Sequence, residues 1–163
     1  MATGDSISGD NVTIYIEAAD TGSAGLTTEY QAEVTSFDVS GGETEQESMA
    51  VFGGGFIDRI KPRSQFEVSM DVIIRYGAGA VQWDTLNDAG AVARMIAVSA
   101  TDGTNFYWNA FNNVKTVNFD KEFSAEDEWR GTITFKLSPA TATGTANTQV
   151  GITDITAGTN LAW

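Results

Sequence analysis

Residues 65–76 read QFEVSMDVIIRY, and this stretch decides the fold class. Its even positions are apolar from Phe66 to Tyr76, whereas its odd positions are polar apart from Ile73. A period of two is typical of a β-strand with one dry face and one solvated face. At about 3.3 Å per residue it would span roughly 35–40 Å, well beyond the usual strand of about 5–6 residues. The stretch predicts either a long strand of an ordinary β-sandwich or a strand whose polar face lines a wet channel.

The composition narrows the possible classes of protein. The chain has 163 residues, enough for one domain with a full core, and contains neither Cys nor His. Disulfides, thiolate metal sites and the commonest general base are therefore missing, and we expect no enzyme activity, no metal site and no cofactor. The first ten residues lack the basic and apolar regions of a signal peptide, and no apolar run approaches the roughly 18–20 residues of a membrane span.

The charge balance is strongly acidic. Nine basic residues face 22 acidic ones, for a net charge of −13. Such a field repels nucleic acid phosphates rather than binding them. Solubility, a salt-rich environment, or a surface that must not hold passing DNA would each explain the charge, and composition does not separate them.

Alternating apolar and polar positions predict further strands along the chain. The alternation changes parity between Val34 and Phe37, which indicates a β-bulge near residues 35–36. Residues 80–87 instead place Trp83 and Leu86 at helical spacing, which predicts one short helix that packs on the sheet. The predicted strands are residues 11–18, 30–40, 56–60, 65–76, 91–100, 105–111, 114–119 and 129–137.

These elements predict a mainly β chain. We expect a β-sandwich or barrel of seven to eight strands with one short flanking α-helix and extended terminal arms. The expected domain is residues 11–138, with an N-terminal arm at residues 1–10 and a C-terminal arm at residues 139–163. The C-terminal arm contains a small apolar cluster near its end. This cluster indicates either that the arm docks on a neighbouring molecule or that it is a frayed, loosely held C-terminus. The predicted anchor residues of this arm are Ile152, Ile155 and Trp163.

Residues 41–55 form what we call the acidic projection. Glu43, Glu45 and Glu47 alternate with polar residues, so this part has no apolar face with which to join the domain's core. Long loops of this kind are uncommon unless they are functional or disordered. We expect a long, flexible projection that needs a partner, and a disordered surface loop is the alternative.

A basic cluster follows the acidic projection. Its three residues are Arg59, Lys61 and Arg63, and they lie within five positions of one another. Because oppositely charged segments attract one another, we expect this cluster to pair with the acidic projection of another copy of the chain.

Several short motifs resemble a known family. Residues 34–43 read VTSFDVSGGE, residues 52–55 read FGGG, and residues 61–72 read KPRSQFEVSMDV. In these motifs, strand order and loop position, residues 11–137 resemble the major tail tube proteins of long-tailed, siphovirus-like bacterial and archaeal viruses. The resemblance implies a β-sandwich or barrel flanked by a helix. It also implies copies that assemble into rings, usually six-fold, which stack as a helical polymer through which the genome is ejected.

The resemblance also implies roles for particular residues. The solvated face of residues 65–75 would line the lumen through Glu67, Ser69 and Asp71, and this acidic lining would let DNA slide past. The acidic projection would be the inter-ring loop, and the terminal arms would add further contacts between subunits. The residues implied for the inter-ring loop are Glu43, Glu45, Glu47, Phe52, Gly53 and Gly54.

The implied partners are other copies of this chain, together with tail terminator, tape measure and baseplate proteins. DNA would pass without specific binding, no membrane would be involved, and the protein would be made in the host cytoplasm and reside in the virion tail. Two alternatives remain at this point. One is a carbohydrate- or receptor-binding β-sandwich of a fibre or adhesin, which exposed aromatics such as Tyr107 or Trp108 would favour. The other is a tube-like component of a contractile injection system.

Overall fold

The chain folds as a mainly β protein, as predicted. A computed structural model describes residues 11–30, 33–41, 46–51, 55–60, 66–75, 77, 83–86, 92–137, 148–158 and 160–163, with only the backbone described at 46–51, 55–60 and 85. Seven strands form one antiparallel sheet and two more form a separate ribbon. In the described residues, no helix is both long enough and apolar enough to cross a bilayer.

All strand pairs are antiparallel. The main sheet has the order β1-β6-β7-β8-β5-β2, and β9 pairs with β7 on the same edge as β8. The ribbon consists of β3 and β4. The elements are β1 (Val12–Ala18), β2 (Val34–Ser40), β3 (Gln46–Val51), β4 (Gly55–Ile60), β5 (Glu67–Ile73), α1 (Trp83–Leu86), β6 (Arg94–Thr101), β7 (Phe106–Glu122), β8 (Arg130–Leu137) and β9 (Thr148–Gly151).

The alternation of apolar and polar residues in 65–76 belongs to β5. Val68, Met70 and Val72 are buried, and the residues between them lie on the opposite face, as the period of two predicts. The predicted length was wrong, because the strand has seven residues whereas β7 has 17. The bulge predicted in β2 is confirmed by a register shift between Val34 and Ser36.

Strand β7 is continuous where the sequence predicted two strands, residues 105–111 and 114–119. The predicted break at Asn112 and Asn113 is a β-bulge, and Asn113 there adopts a left-handed φ of 56°. Asn112 is fully buried, and its side chain exchanges two hydrogen bonds with Asp20, at 2.9 Å to the backbone N–H and 2.7 Å to the carboxylate. This contact spans 92 positions of sequence, so local patterns could not predict it.

The first core lies on the concave face of the main sheet. Because β1 and β5, four strands apart in the order, share this core, the sheet curls around it as a half-barrel. The predicted packing of Trp83 and Leu86 on the sheet is confirmed, and the Trp83 indole donates a hydrogen bond of 3.1 Å to Glu33. The fully buried members of the first core include Val68, Met70, Val72, Ile96, Phe111, Val114, Ile133 and Phe135.

The second core lies on the outer face of the same sheet. It covers β1, β6 and the first half of β7 through Tyr15, Met95, Ala97, Trp108 and Ala110. Ile155 and Leu161, from what we call the C-terminal segment (residues 148–163), close this core and are almost fully buried. The outer face of β2, β5, β8 and the second half of β7 carries no such cover among the described residues.

Part of the acidic projection is a strand rather than a loop. Strand β3 pairs with β4, and the register places Glu47 opposite Arg59. Main-chain hydrogen bonds form a ladder without an apolar face, which explains why the polar alternation of this segment still allows a strand. Residues 42–45 and 52–54 of the projection lie outside the described residues.

Candidate functional site

The uncovered half of the outer face is the candidate site, and we call it the polar face. Directly opposite residues of an antiparallel pair share a face, so the register aligns Asp38, Ser69, Thr134 and Asn118 in one row across four strands. Its described members are Ser36, Asp38 and Ser40 of β2, Glu67, Ser69 and Asp71 of β5, Arg130, Thr132, Thr134 and Lys136 of β8, and Lys115, Asn118, Asp120 and Glu122 of β7.

The three residues expected to line a lumen lie side by side on the polar face. Glu67, Ser69 and Asp71 project from β5, the second strand of this surface. Glu67 forms an ion pair of 2.9 Å with Lys136, its cross-strand neighbour on β8. The lining role of these residues stays a prediction.

Asp71 lies at the centre of a hydrogen-bonded group. Its carboxylate accepts hydrogen bonds from the hydroxyl of Thr132 at 2.6 Å and from that of Ser36 at 2.8 Å. These two bonds, Thr132 first, hold the pKa of the Asp71 carboxyl below its ordinary value, against a small opposing effect of burial. Asp71 therefore keeps its negative charge while it ties β2, β5 and β8 together.

We predict that Thr132→Val will raise the pKa of Asp71 towards its ordinary value. Thr134→Val is the matched control, because Thr134 lies on the same strand and face but opposite Ser69. The measurement is an NMR titration of the Asp71 side chain. Because its pKa is lowered in the folded state, Asp71 contributes stability above the unfolded-state pKa of about 3.9, and this is lost as pH falls through the folded-state pKa. An equal shift in both variants would contradict the assignment.

The polar face is acidic on balance but not uniformly so. Its five carboxylates are interspersed with three cations. A shallow depression of about 350 Å³ at one end brings Asp71, Asp120 and Glu122 near Arg130. In the part of the chain that the structure describes, no three acidic side chains are close enough together to hold a metal ion. The described side chains of the polar face thus present charged and hydrogen-bonding groups.

The sequence reasoning identified one strand of this surface and missed the other three. Arg130, Thr132 and Lys136 lie in the predicted strand of residues 129–137, but nothing in the sequence places that strand beside β5. Asp120 and Glu122 lie beyond the end of the predicted strand of residues 114–119, although they belong to β7. The available signal was the matching alternation of β5 and β8, which is compatible with pairing but does not identify the partner strand.

The other predicted site residues lie away from the polar face or outside the described residues. Of the inter-ring loop and the basic cluster, only the backbones of Glu47 and Arg59 are described. In the arm, Ile155 is buried in the second core and Trp163 packs against it, whereas Ile152 is 80% exposed. The members outside the described residues are Glu43, Glu45, Phe52, Gly53, Gly54, Lys61 and Arg63.

The polar face has two open edges. Among the described strands, β2 pairs only with β5, and β7 beyond Val114 pairs only with β8. Each edge carries an exposed apolar residue, Val39 on β2 and Val117 in the bulge of β7, at 42% and 54% exposure. By contrast, the outer edge of β1 is partly covered, because the N–H of Tyr30 donates to Ile14 at 2.9 Å.

Comparisons with solved structures find the same fold in chains from contractile particles. No protein-family model and no curated protein sequence matches the chain. A chain from the sheath/tube terminator of the PVC extracellular contractile injection system, in the extended state, matches with a TM-score of 0.61 at 13% identity. The match covers 93% of this chain and 99% of that one.

Two further matches come from the same kind of particle. A chain of the PVC sheath–tube complex in its extended state has a TM-score of 0.59 at 13% identity, with coverage of 93% and 94%. A chain from the tube-terminating cap of the anti-feeding prophage has the same TM-score and identity, with coverage of 94% and 95%. At this identity the likeness establishes a shared fold over nearly the whole of each chain.

Proposed function

We propose that this chain is a structural protein of a tail-like particle, and that its copies join into rings which stack as a tube. The observation that carries the proposal is the polar face, a four-stranded surface with one polar side and two open edges. The fold, shared with chains from sheath–tube and cap complexes, supports the same class of protein.

The two open edges have complementary directions. Strand direction alternates from β2 through β5 and β8 to β7, since each neighbouring pair is antiparallel. The second half of β7 therefore runs opposite to β2, and β7 of one copy would pair with β2 of the next as an antiparallel ladder. Such pairing repeats head to tail and satisfies the main-chain groups of both edges. It therefore leaves neither edge strand exposed, where it would otherwise promote aggregation.

A ring of six copies has a suitable diameter for a conduit. Six polar faces would contribute about 24 strands, and at about 4.8 Å between strands and a tilt of about 40° the backbone circle is roughly 45–50 Å across. This leaves room for a DNA duplex after the side chains are included. One further solved structure with this fold is a chain of the anti-feeding prophage baseplate, 6-fold symmetrised. Its symmetry supports a ring of six copies.

The polar face would then line the lumen, with the first core behind it. Glu67 and Lys136 neutralise each other, so Lys136 offers phosphates less net positive charge. Five carboxylates against three cations leave the wall negative, and few phosphates would be held through counterion release. Such a wall suits the passage of DNA and would also pass other cargo, as in an injection system.

The acidic projection and the basic cluster would supply contacts between stacked rings. The register places Glu47 opposite Arg59 in the ribbon, so one ribbon carries both kinds of charge that a neighbouring copy would meet. Tail terminator, tape measure and baseplate proteins are the expected partners at the ends and inside of the tube. The particle itself, made in a host cytoplasm, is the expected location.

Electron microscopy of the purified chain tests this proposal. We expect rings or tubes, and we expect Ser69→Cys, the only thiol in the chain, to react with a polymer-linked maleimide much more slowly in tubes than in monomers. A small maleimide, which diffuses into the lumen, is the matched control reagent. A monomer at high concentration, or equal labelling by the bulky reagent in both states, would contradict the proposal.

Only one of the two aromatic residues named for the glycan-binding alternative is exposed. Tyr107 is exposed, but Trp108 points to the other face and is buried beneath the C-terminal segment. An aromatic platform of these two residues is therefore not formed. Binding of the chain to a glycan array would restore this alternative.

A further inference from the structure

Strands β8 and β9 follow one line along the same edge of β7. Leu137, the end of β8, lies opposite Val114, and Thr148, the start of β9, lies opposite Phe111. The two strands are thus separated by three positions of β7, or about 10 Å. Yet residues 138–147, ten in number, connect them. Two or three residues would be enough, so the connection is far longer than this arrangement requires.

The C-terminal segment has a well-defined docking site on the sheet. Ile155 and Leu161 fill the second core, and Ser23 is bonded to the Leu161 backbone, with its hydroxyl accepting from the N–H at 2.7 Å and its N–H donating to the carbonyl at 3.2 Å. The Trp163 indole donates to the Thr21 carbonyl at 3.0 Å. Every copy of the chain presents the same docking site, so these contacts form equally well with a segment from a neighbour.

Strand β9 is the short edge strand of the segment. It has four residues, and Gly151 lies against the Trp108 ring so closely that an added Cβ would be 2.4 Å from it. Among the described residues, the Trp108 indole N–H and the Asn109 amide oxygen are buried without hydrogen-bond partners. An unpartnered buried N–H is unfavourable, so an opening of β9 that lets water reach the Trp108 indole costs less than it otherwise would.

We propose that the C-terminal segment is exchanged between neighbouring copies in the assembled particle, so that β9 of one copy occupies the docking site of another. Ten extended residues reach roughly 35 Å, enough to cross a subunit boundary that the 10 Å connection within one chain does not use. Exchange of an identical element adds contacts between subunits without any new surface. The proposal rests on the proposed function, because it requires copies that lie side by side.

A cross-strand disulfide distinguishes the two arrangements. Asn109 and Val150 are opposite residues of β7 and β9, at a spacing suited to a disulfide, and the chain has no other cysteine. The double variant Asn109→Cys with Val150→Cys is assembled, oxidised with diamide and run on a denaturing gel without reductant. Exchange predicts a ladder of covalent multimers. Only monomers with an internal disulfide would overturn the proposal.

Mixing the two single variants provides the control. Asn109→Cys and Val150→Cys, assembled together, should give a covalent heterodimer, whereas either variant alone should give much less. Microscopy of the same samples separates the two proposals. Rings that contain only internal disulfides contradict the exchange alone, whereas the absence of rings in the wild-type chain contradicts the proposed function.

Shortening the connection tests the same inference without cysteines. Deletion of residues 140–146 leaves three connecting residues, which hold the segment on its own sheet. We expect the monomer to keep its circular dichroism spectrum and its tubes to dissociate at a markedly lower temperature. The matched control replaces the same seven residues with Gly and Ser, which keeps the length and should leave the tubes unchanged. Deletion tubes as stable as wild type would overturn the proposal.

Discussion

Phe111→Ala will lower the free energy of unfolding by about 3–5 kcal/mol, the usual cost of removing a buried aromatic ring. Phe111 is fully buried in the first core, at the middle of the sheet, opposite Ile96 on β6. Its ring lies 5.8 Å from that of Phe66, next to β5. The loss therefore removes contacts to both halves of the sheet and leaves a cavity that a curled, closely packed sheet cannot close.

The measurement is equilibrium unfolding in urea, followed by tryptophan fluorescence. Val117→Ala is the control on the same strand, because Val117 is 54% exposed and should change the free energy by no more than about 0.5 kcal/mol. Since a domain of this size is stable by only about 5–15 kcal/mol, Phe111→Ala leaves a chain close to its unfolding threshold. A change as small as that of the control would show that this core is not what stabilises the sheet.

Val117→Asp will abolish rings and tubes while the monomer remains folded. Val117 lies on the open edge of β7, where β2 of the next copy is proposed to pair. In the monomer the new carboxylate is solvated and costs little. In the ring it would stand on one face of the joined sheet beside the side chains of β2, which has no cation and carries the carboxylate of Asp38. Loss of hydration and repulsion between like charges are both unfavourable there. Val39→Asp, on the facing edge of β2, should have the same effect.

Sedimentation velocity and electron microscopy measure the result, and circular dichroism reports the fold. The matched control is Tyr107→Asp, since Tyr107 is 49% exposed and lies in the first half of β7, ten positions from Val117, where β7 pairs with β6. We expect the control to assemble like the wild type. Normal rings from Val117→Asp and Val39→Asp would show that copies do not join through these edges.

Much of the fold was predictable because strand formation depends on the short-range periodicity of apolar residues. The alternation of Val68, Met70 and Val72 identified β5 and its buried face, and the parity change after Val34 identified the bulge of β2. The spacing of Trp83 and Leu86 likewise identified α1 and its packing on the sheet. Each of these features depends on residues a few positions apart.

The features that were missed depend on contacts between distant residues. The pair Asp20 and Asn112 keeps β7 continuous across a position that local patterns predict to be a break. The packing of Ile155 on Tyr15 and Trp108, which completes the second core, likewise joins residues far apart in the sequence. Whether a segment packs within its chain or on another depends on reach and competing surfaces, neither of which periodicity contains.

The candidate site was likewise predictable from the sequence only in part. Glu67, Ser69 and Asp71 could be assigned to a single solvated face from the alternation alone, because side-chain direction in a strand is a local property. The polar face itself, with Lys136 beside Glu67 and two open edges of opposite direction, came only from the order and register of four strands. Register is set by the packing of the whole sheet over the first core, so it is known only once the chain has folded.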